Sequence, residues 1–167
     1  MKIEQVPVKG LTSEEYDKAV KISWKPKLQY AWDNGIAIGK YLQALKEGKI
    51  LASLCHGCGR TMLPARSFCE LCWRPTDGET YVEDTGVVNT FAICHVNWDA
   101  SRLKPDEPRH IPAVIEINGA SSGQGIMHVL GNVNPADVKI GMKVRAVWKP
   151  AGEREGSITD IKYFEPY

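Results

Sequence analysis

No run of basic residues and no stretch of about 18 apolar residues occurs in this chain of 167 residues. Lys and Arg total 21 against 20 Asp and Glu, a formal net charge of +1. That balance disfavours a general electrostatic grip on nucleic acid, which depends on clustered cations neutralising phosphates. Met1-Lys2-Ile3-Glu4 is no apolar leader, so a reduced cytoplasmic setting with no membrane association is the expectation. The signatures of an independent catalyst are missing too: there is no GxSxG elbow, no P-loop and no dinucleotide fingerprint. Gly119-Ala120-Ser121-Ser122-Gly123 joins two expected strands and precedes no helix, so it reads as a hairpin turn rather than a phosphate cradle. The four histidines are scattered. His56 sits inside a cysteine turn, His95 and His128 fall mid-strand, and His110 borders the longest loop.

What is present is a cysteine pattern. Cys55-His56-Gly57-Cys58 and Cys69-Glu70-Leu71-Cys72 form two CxxC pairs with ten residues between them. Two intervening residues let one tight turn aim both sulfurs at a single ion, and the spacer is long enough to return a second turn opposite the first. The spacing therefore predicts a structural Zn2+ held by Cys55, Cys58, Cys69 and Cys72. Iron in a rubredoxin-like four-thiolate site and redox cysteine pairs are the competing readings. Four thiolates leave no position for a reactive water, which disfavours catalytic zinc. With −4 from the thiolates and +2 from the ion, the metallated chain carries about −1. Metal binding would supply folding free energy of roughly 10–16 kcal/mol to a stretch too short for its own core. The fifth cysteine, Cys94, keeps step with Val88, Ala92 and Val96 and reads as a small buried residue rather than a reactive thiol.

The expected architecture is mainly β with an N-terminal α-helical arm: residues 1–48 as the arm, 49–78 as a four-cysteine zinc ribbon, 79–167 as a five-stranded barrel. Thr12-Ser13-Glu14-Glu15 has the form of a capping box opening a helix over 13–23, which Pro26 stops. A second helix begins after Asp33 or Asn34, carries Ile38, Tyr41, Leu42 and Leu45 at helical spacing, and ends at Gly48. Trp24, Tyr30 and Trp32 lie between; such aromatics cover the rest of the chain or dock on another protein. Lys49 to Leu54 leads into the first cysteine turn and Thr61 to Pro64 returns from it. Trp73 stands where the first turn has Gly59, so the second turn should keep its geometry at some strain, with Trp73 lying over the ribbon or protruding as an anchor. Five strands follow, at 87–98, 111–118, 126–133, 142–148 and 157–164, with one helical hint between the third and fourth. That pattern suits a Greek-key barrel of the OB type, an SH3-like barrel being the competitor. The segment 99–110, with Pro105 and Pro108, is a long connection suited either to binding or to plain solvation.

This order of parts resembles a known family. An aromatic-bearing helix, then "LKEGKILASLCHGCGRTMLPARSFCELC", then "GVVNTF" and "KIGMKVRAVW", is similar to OB-fold proteins with an N-terminal rubredoxin-like zinc ribbon that associate with acyl-CoA enzymes. The likeness covers about residues 36–165. It implies a non-catalytic accessory subunit of a thiolase-like condensing enzyme in a hetero-oligomer, bracing the partner and helping to form or bridge its CoA or acyl-CoA site. It also implies the metal role of Cys55, Cys58, Cys69 and Cys72, and a matching arginine, Arg66. With Arg60 and Arg74, Arg66 either neutralises the thiolate site or meets a CoA phosphate. Trp24, Tyr30, Trp32, Tyr41 and Trp73 are the expected partner-interface residues. Trp73 departs from the family's usual glycine, and residues 1–35 extend beyond its common core. The aromatic arm looks similar to accessory subunits of thiolases that cleave aromatic acyl-CoA substrates such as benzoylsuccinyl-CoA. Two rivals stand beside this: a nucleic-acid-binding ribbon plus OB module, and a free-standing acyl-CoA carrier or hydrolase using Cys94 or His110.

Overall fold

A capping box opens the first helix, α1 (Ser13–Val20), as the sequence predicts. The computed structural model describes residues 10–20, 26–97 and 99–167. The Thr12 N–H donates to Glu15 Oε2 at 2.8 Å and the Glu15 N–H to Thr12 Oγ1 at 3.2 Å. The Thr12 backbone N–H, with its hydroxyl, holds the Glu15 carboxyl below the usual range. None of α1 is buried. The expected continuation to residue 23, and Trp24 with it, lies outside the described residues. Tyr30 and Trp32 stack at 6.3 Å between ring centroids, tilted by 37°, and both are exposed.

The chain divides into two compact units at Asp33/Asn34. The second helix, α2 (Gly35–Lys46), belongs to the second unit and packs on the first ribbon strand. It ends as expected at Gly48, whose φ of +78° is left-handed. The Gly48 N–H donates to the Leu45 carbonyl and the Lys49 N–H to the Ala44 carbonyl, each at 2.9 Å, a Schellman closure that satisfies two otherwise orphaned acceptors.

The ribbon is built by β1 (Ile50–Cys55), β2 (Arg60–Met62), β3 (Phe68–Cys69) and β4 (Arg74–Pro75), followed by β5 (Gly78–Val82). β1 is the middle of an antiparallel sheet ordered β2-β1-β5, and β3 pairs with β4. β5 was not expected from the sequence. It runs beside β1 from Ile50↔Val82 to Leu54↔Gly78, all but the last residue of that strand, and delivers the chain from the ribbon to the barrel.

All five barrel strands form, each shorter than the sequence suggests, with β6 and β8 starting earlier and β10 ending later than expected: β6 (Thr85–Phe91), β7 (Pro112–Ile117), β8 (Gly125–Val129), β9 (Lys143–Trp148) and β10 (Ile161–Pro166). Their order is β10-β9-β6-β7-β8, antiparallel throughout. A parallel bridge from Leu130 to Phe164 brings the end of the third barrel strand to the fifth and closes the barrel. This topology, with a single 3-10 turn at Pro135–Asp137 between the third and fourth barrel strands, is the OB arrangement. Burial alternates as a half-buried strand requires, with Ala113, Ile115 and Ile117 of β7 inside. Gly86 in β6 is forced by close approach, since a Cβ there would collide with the Glu116 carbonyl of the neighbouring strand.

One core serves α2, the base of the ribbon and the barrel together: Leu45, Ile50 and Leu63 pack in the same cluster as Ile115, Val144 and Phe164. Tyr41 is part of that cluster at 4 % exposure, which corrects its expected place at a partner interface. The helical spacing that made it visible belongs to a core-facing stripe. Burial pushes its phenol up to about 12. Asp160 is also fully buried. Burial acts to raise its pKa, but N–H donors from Glu155, Gly156 and Ser157 outweigh that and lower it.

Candidate metal centre

Each cysteine pair sits on a strand-to-turn corner, and the two corners face each other. Cys55 ends β1 and Cys69 ends β3, so each strand presents its last sulfur inward, while Cys58 and Cys72 come from the turns that follow. The Gly59 N–H donates to the Cys55 carbonyl at 2.7 Å and the Trp73 N–H to the Cys69 carbonyl at 2.9 Å. Both closing residues are left-handed, Gly59 at φ +71° and Trp73 at φ +52°. The predicted equivalence of the turns therefore holds. For tryptophan that backbone region is strained by roughly 1–2 kcal/mol, since Cβ crowds the following carbonyl.

The four sulfurs lie within 4.8 Å of one another, and Cys58 Sγ is 3.6 Å from Cys69 Sγ. A tetrahedral ion with metal–sulfur bonds near 2.3 Å spaces its ligands about 3.8 Å apart, so the donor set fits zinc. Its electrostatics ask for a cation. The Cys58 sulfur, then burial and the remaining sulfurs, push the Cys72 thiol up to about 12, whereas N–H groups of Cys72 and Leu71 bring Cys69 down to about 7 against burial. A bound zinc ion would neutralise half of the thiolate charge and close the site without an open position. The cysteines, for their part, tie two corners of backbone whose own buried set is Cys55, Met62 and Cys69, with Cys72 packed against it.

The three arginines near the site already have partners. Arg60 and Arg66 both reach Glu70, at 3.1 and 3.4 Å, and Arg74 reaches Asp77 at 3.2 Å. Asp77 also accepts the His56 N–H at 2.8 Å, and its pKa is lowered chiefly by that bond. Sequence reasoning missed what joins the ribbon to the barrel. The loop between β7 and β8, read as a mere hairpin turn, reaches the ribbon. Ser121 exchanges bonds with Thr61, its Oγ accepting the Thr61 N–H at 2.9 Å and its N–H donating to the Thr61 carbonyl at 3.0 Å. Buried Gln124 accepts from the Leu63 N–H at 3.3 Å and from Arg66 Nη2 at 3.1 Å. Ser53 Oγ accepts the Arg66 N–H and donates to the Arg66 carbonyl, both at 2.8 Å. Only Ser121, Ser122 and Gln124 in that Ser- and Gly-rich loop signalled polar reach.

The remaining candidates fall elsewhere. Trp73 protrudes at 87 % exposure. Cys94 is half-buried and lines a cavity of about 400 Å³ with Val96, Asn97, Leu103, Pro108 and His110. The expected long loop is an irregular continuation of the β6–β7 hairpin: the Ala92 and Cys94 N–H groups donate to Pro112 and His110 carbonyls, each at 2.9 Å. No helix among the described residues is long and apolar enough to cross a membrane.

Comparison with known proteins agrees with this geometry. A family model described as the ChsH2 rubredoxin-like zinc ribbon domain matches residues 42–77, and one described as the ChsH2 C-terminal OB-fold domain matches residues 79–149. A DUF35 domain-containing scaffold protein of Methanocaldococcus jannaschii is 32% identical over 115 residues, covering 67% of this chain and 77% of that protein. A DUF35-family protein of unknown function from Sulfolobus solfataricus shares the fold with a TM-score of 0.58 at 21% identity, over 77% of this chain and 83% of that one. A chain of the Ltp2-ChsH2(DUF35) aldolase does so with a TM-score of 0.57 at 18% identity, over 85% of this chain and 98% of that one. The chain belongs to the DUF35 family, as a member built from a ChsH2-type rubredoxin-like zinc ribbon and an OB fold.

Proposed function

We propose that this protein is a non-catalytic scaffold subunit of a thiolase-type acyl-CoA enzyme, bracing that enzyme and helping to form or bridge its CoA site. The observation that carries the reading is the rigid buckle between ribbon and barrel, seen in a chain whose 32%-identical relative is described as a scaffold protein. The zinc turns hold the ribbon tip, while Gln124 and Ser121 fix it against the barrel, so two surfaces keep a set relation for a partner to recognise. Structural likeness to a chain of an aldolase assembly supports the same direction and widens the partner class to aldolases. If the scaffold role extends to CoA, Arg60, Arg66 and Arg74 contact its phosphates only by giving up or sharing Glu70 and Asp77. The same pairing, with a near-neutral charge, weighs against nucleic acid.

The test is copurification from the native source followed by reconstitution. The expected result is a stoichiometric complex with an acyl-CoA enzyme whose stability or turnover rises on adding this chain. Failure of the purified chain to bind or alter any such enzyme would sink the reading. One observation favours a second reading, the cavity shared by Cys94 and His110. Acyl-CoA hydrolysis by the isolated chain, lost in both Cys94→Ala and His110→Ala, would establish it instead.

A further inference from the structure

The two cysteine turns are equivalent in backbone and opposite in surface. The first is closed by Gly59, which has no side chain, and the second by Trp73, which keeps the same left-handed backbone at a strain that glycine would not feel. Among the described residues no hydrogen bond or ring contact of the indole offsets that strain. Trp73 is 87 % exposed, and Leu71 and Phe68 beside it in sequence are 61 % and 60 % exposed. Exposed large apolar side chains gathered within positions 68–73, an indole among them, have the composition of an interface anchor. Zinc coordination makes that corner rigid, so little conformational freedom is lost when it is seated.

The surrounding charges select the kind of occupant. Arg60, Arg66 and Arg74 are held by Glu70 and Asp77, and a metallated thiolate site adds about −2, so the corner presents no surplus of free cations. A tryptophan that stacks on nucleic-acid bases is ordinarily set in a basic groove; this one is not. We propose that Trp73, flanked by Leu71 and Phe68, is the anchor by which the ribbon docks into an apolar pocket on the enzyme subunit. The proposal rests on the scaffold reading above and assigns its contact point.

The strain gives the experiment opposite signs for the two possible roles. Trp73→Gly relieves the backbone, so a variant lacking only a surface anchor holds zinc as tightly as the wild type or about five-fold more tightly in competition with a chelator. Its affinity for the copurified enzyme subunit, purified separately and titrated by calorimetry, should fall about 30-fold or more, with Trp73→Phe in between. Enzyme binding by Trp73→Gly within about three-fold of wild type would overturn the proposal and leave the scaffold reading standing. Weaker zinc retention by Trp73→Gly would make Trp73 a packing residue of the ribbon and overturn it as well. Loss of a self-associated form of the free chain on the same substitution would assign the corner to a second copy of this chain instead. Absence of any acyl-CoA enzyme bound to the wild type defeats the scaffold reading itself, and the anchor with it.

Discussion

At the tip of the ribbon the buried apolar set is Cys55, Met62 and Cys69, whereas eighteen buried residues spread from α2 through the ribbon base to the far side of the barrel. The tip cannot be held by apolar burial and depends on its thiolates; the barrel needs no metal. Both lie in one compact unit. The contrast teaches that the two parts draw their order from separate sources: the barrel from its apolar core, and the ribbon tip from the cysteines that would hold a metal.

The contrast breaks most visibly if the metal is removed. Chelation, or Cys55→Ser, should abolish the ordered tip, costing on the order of 10 kcal/mol of local folding free energy, while far-ultraviolet dichroism retains most of the barrel's strand signal. Loss of the whole signal on chelation would show that the parts do not differ in this way. The reverse substitution attacks the platform. Phe164 is fully buried and sits at the bridge that closes the barrel, so Phe164→Ala should lower unfolding free energy by about 3–5 kcal/mol in chemical denaturation. Cobalt substituted at the cysteines of that folded variant should keep its tetrahedral spectrum.

Smaller effects sharpen the boundary between the two parts. Gln124→Ala removes the acceptor for the Leu63 N–H and for Arg66, leaving a buried donor unpaired, and should cost about 1–3 kcal/mol. Faster hydrogen exchange at both Leu63 and the β7–β8 loop is the expected signature; exchange confined to one side would mean the buckle does not couple them. Smallest is a pH effect in the barrel. His128 packs edge-on against Phe164, and burial lowers its pKa. The unfolded chain therefore binds a proton near pH 6.5 that the folded chain resists, so stability contributed by neutral His128 is lost as pH falls below about 6.5. In His128→Asn the slope of unfolding free energy between pH 7 and 5 should flatten; an unchanged slope would remove His128 as its source.

Much of this was legible because the chemistry is local. CxxC spacing, the Thr12–Glu15 box, Gly48 as a helix stop and the five barrel strands each depend on neighbours in sequence. The left-handed backbone at Trp73 was readable too, because the first turn showed what the second must do. What could not be read depends on distant partners. β5 is short, its Glu79 and Tyr81 face out, and it becomes a strand only beside β1. Gln124 lies 61 residues from the Leu63 N–H that it accepts. Tyr41 was misassigned because a helical stripe of apolar residues does not say which body it packs against, and here it faces the core shared with the barrel.

The proposal that a zinc-held ribbon on an OB platform docks on an acyl-CoA enzyme can be checked by titrating the zinc-loaded and the chelated chain into the purified partner in one calorimeter series. The zinc-loaded chain should give a defined stoichiometric isotherm that disappears after chelation and returns on adding zinc back. Equal binding by the chelated chain, or none by the zinc-loaded one, would contradict it.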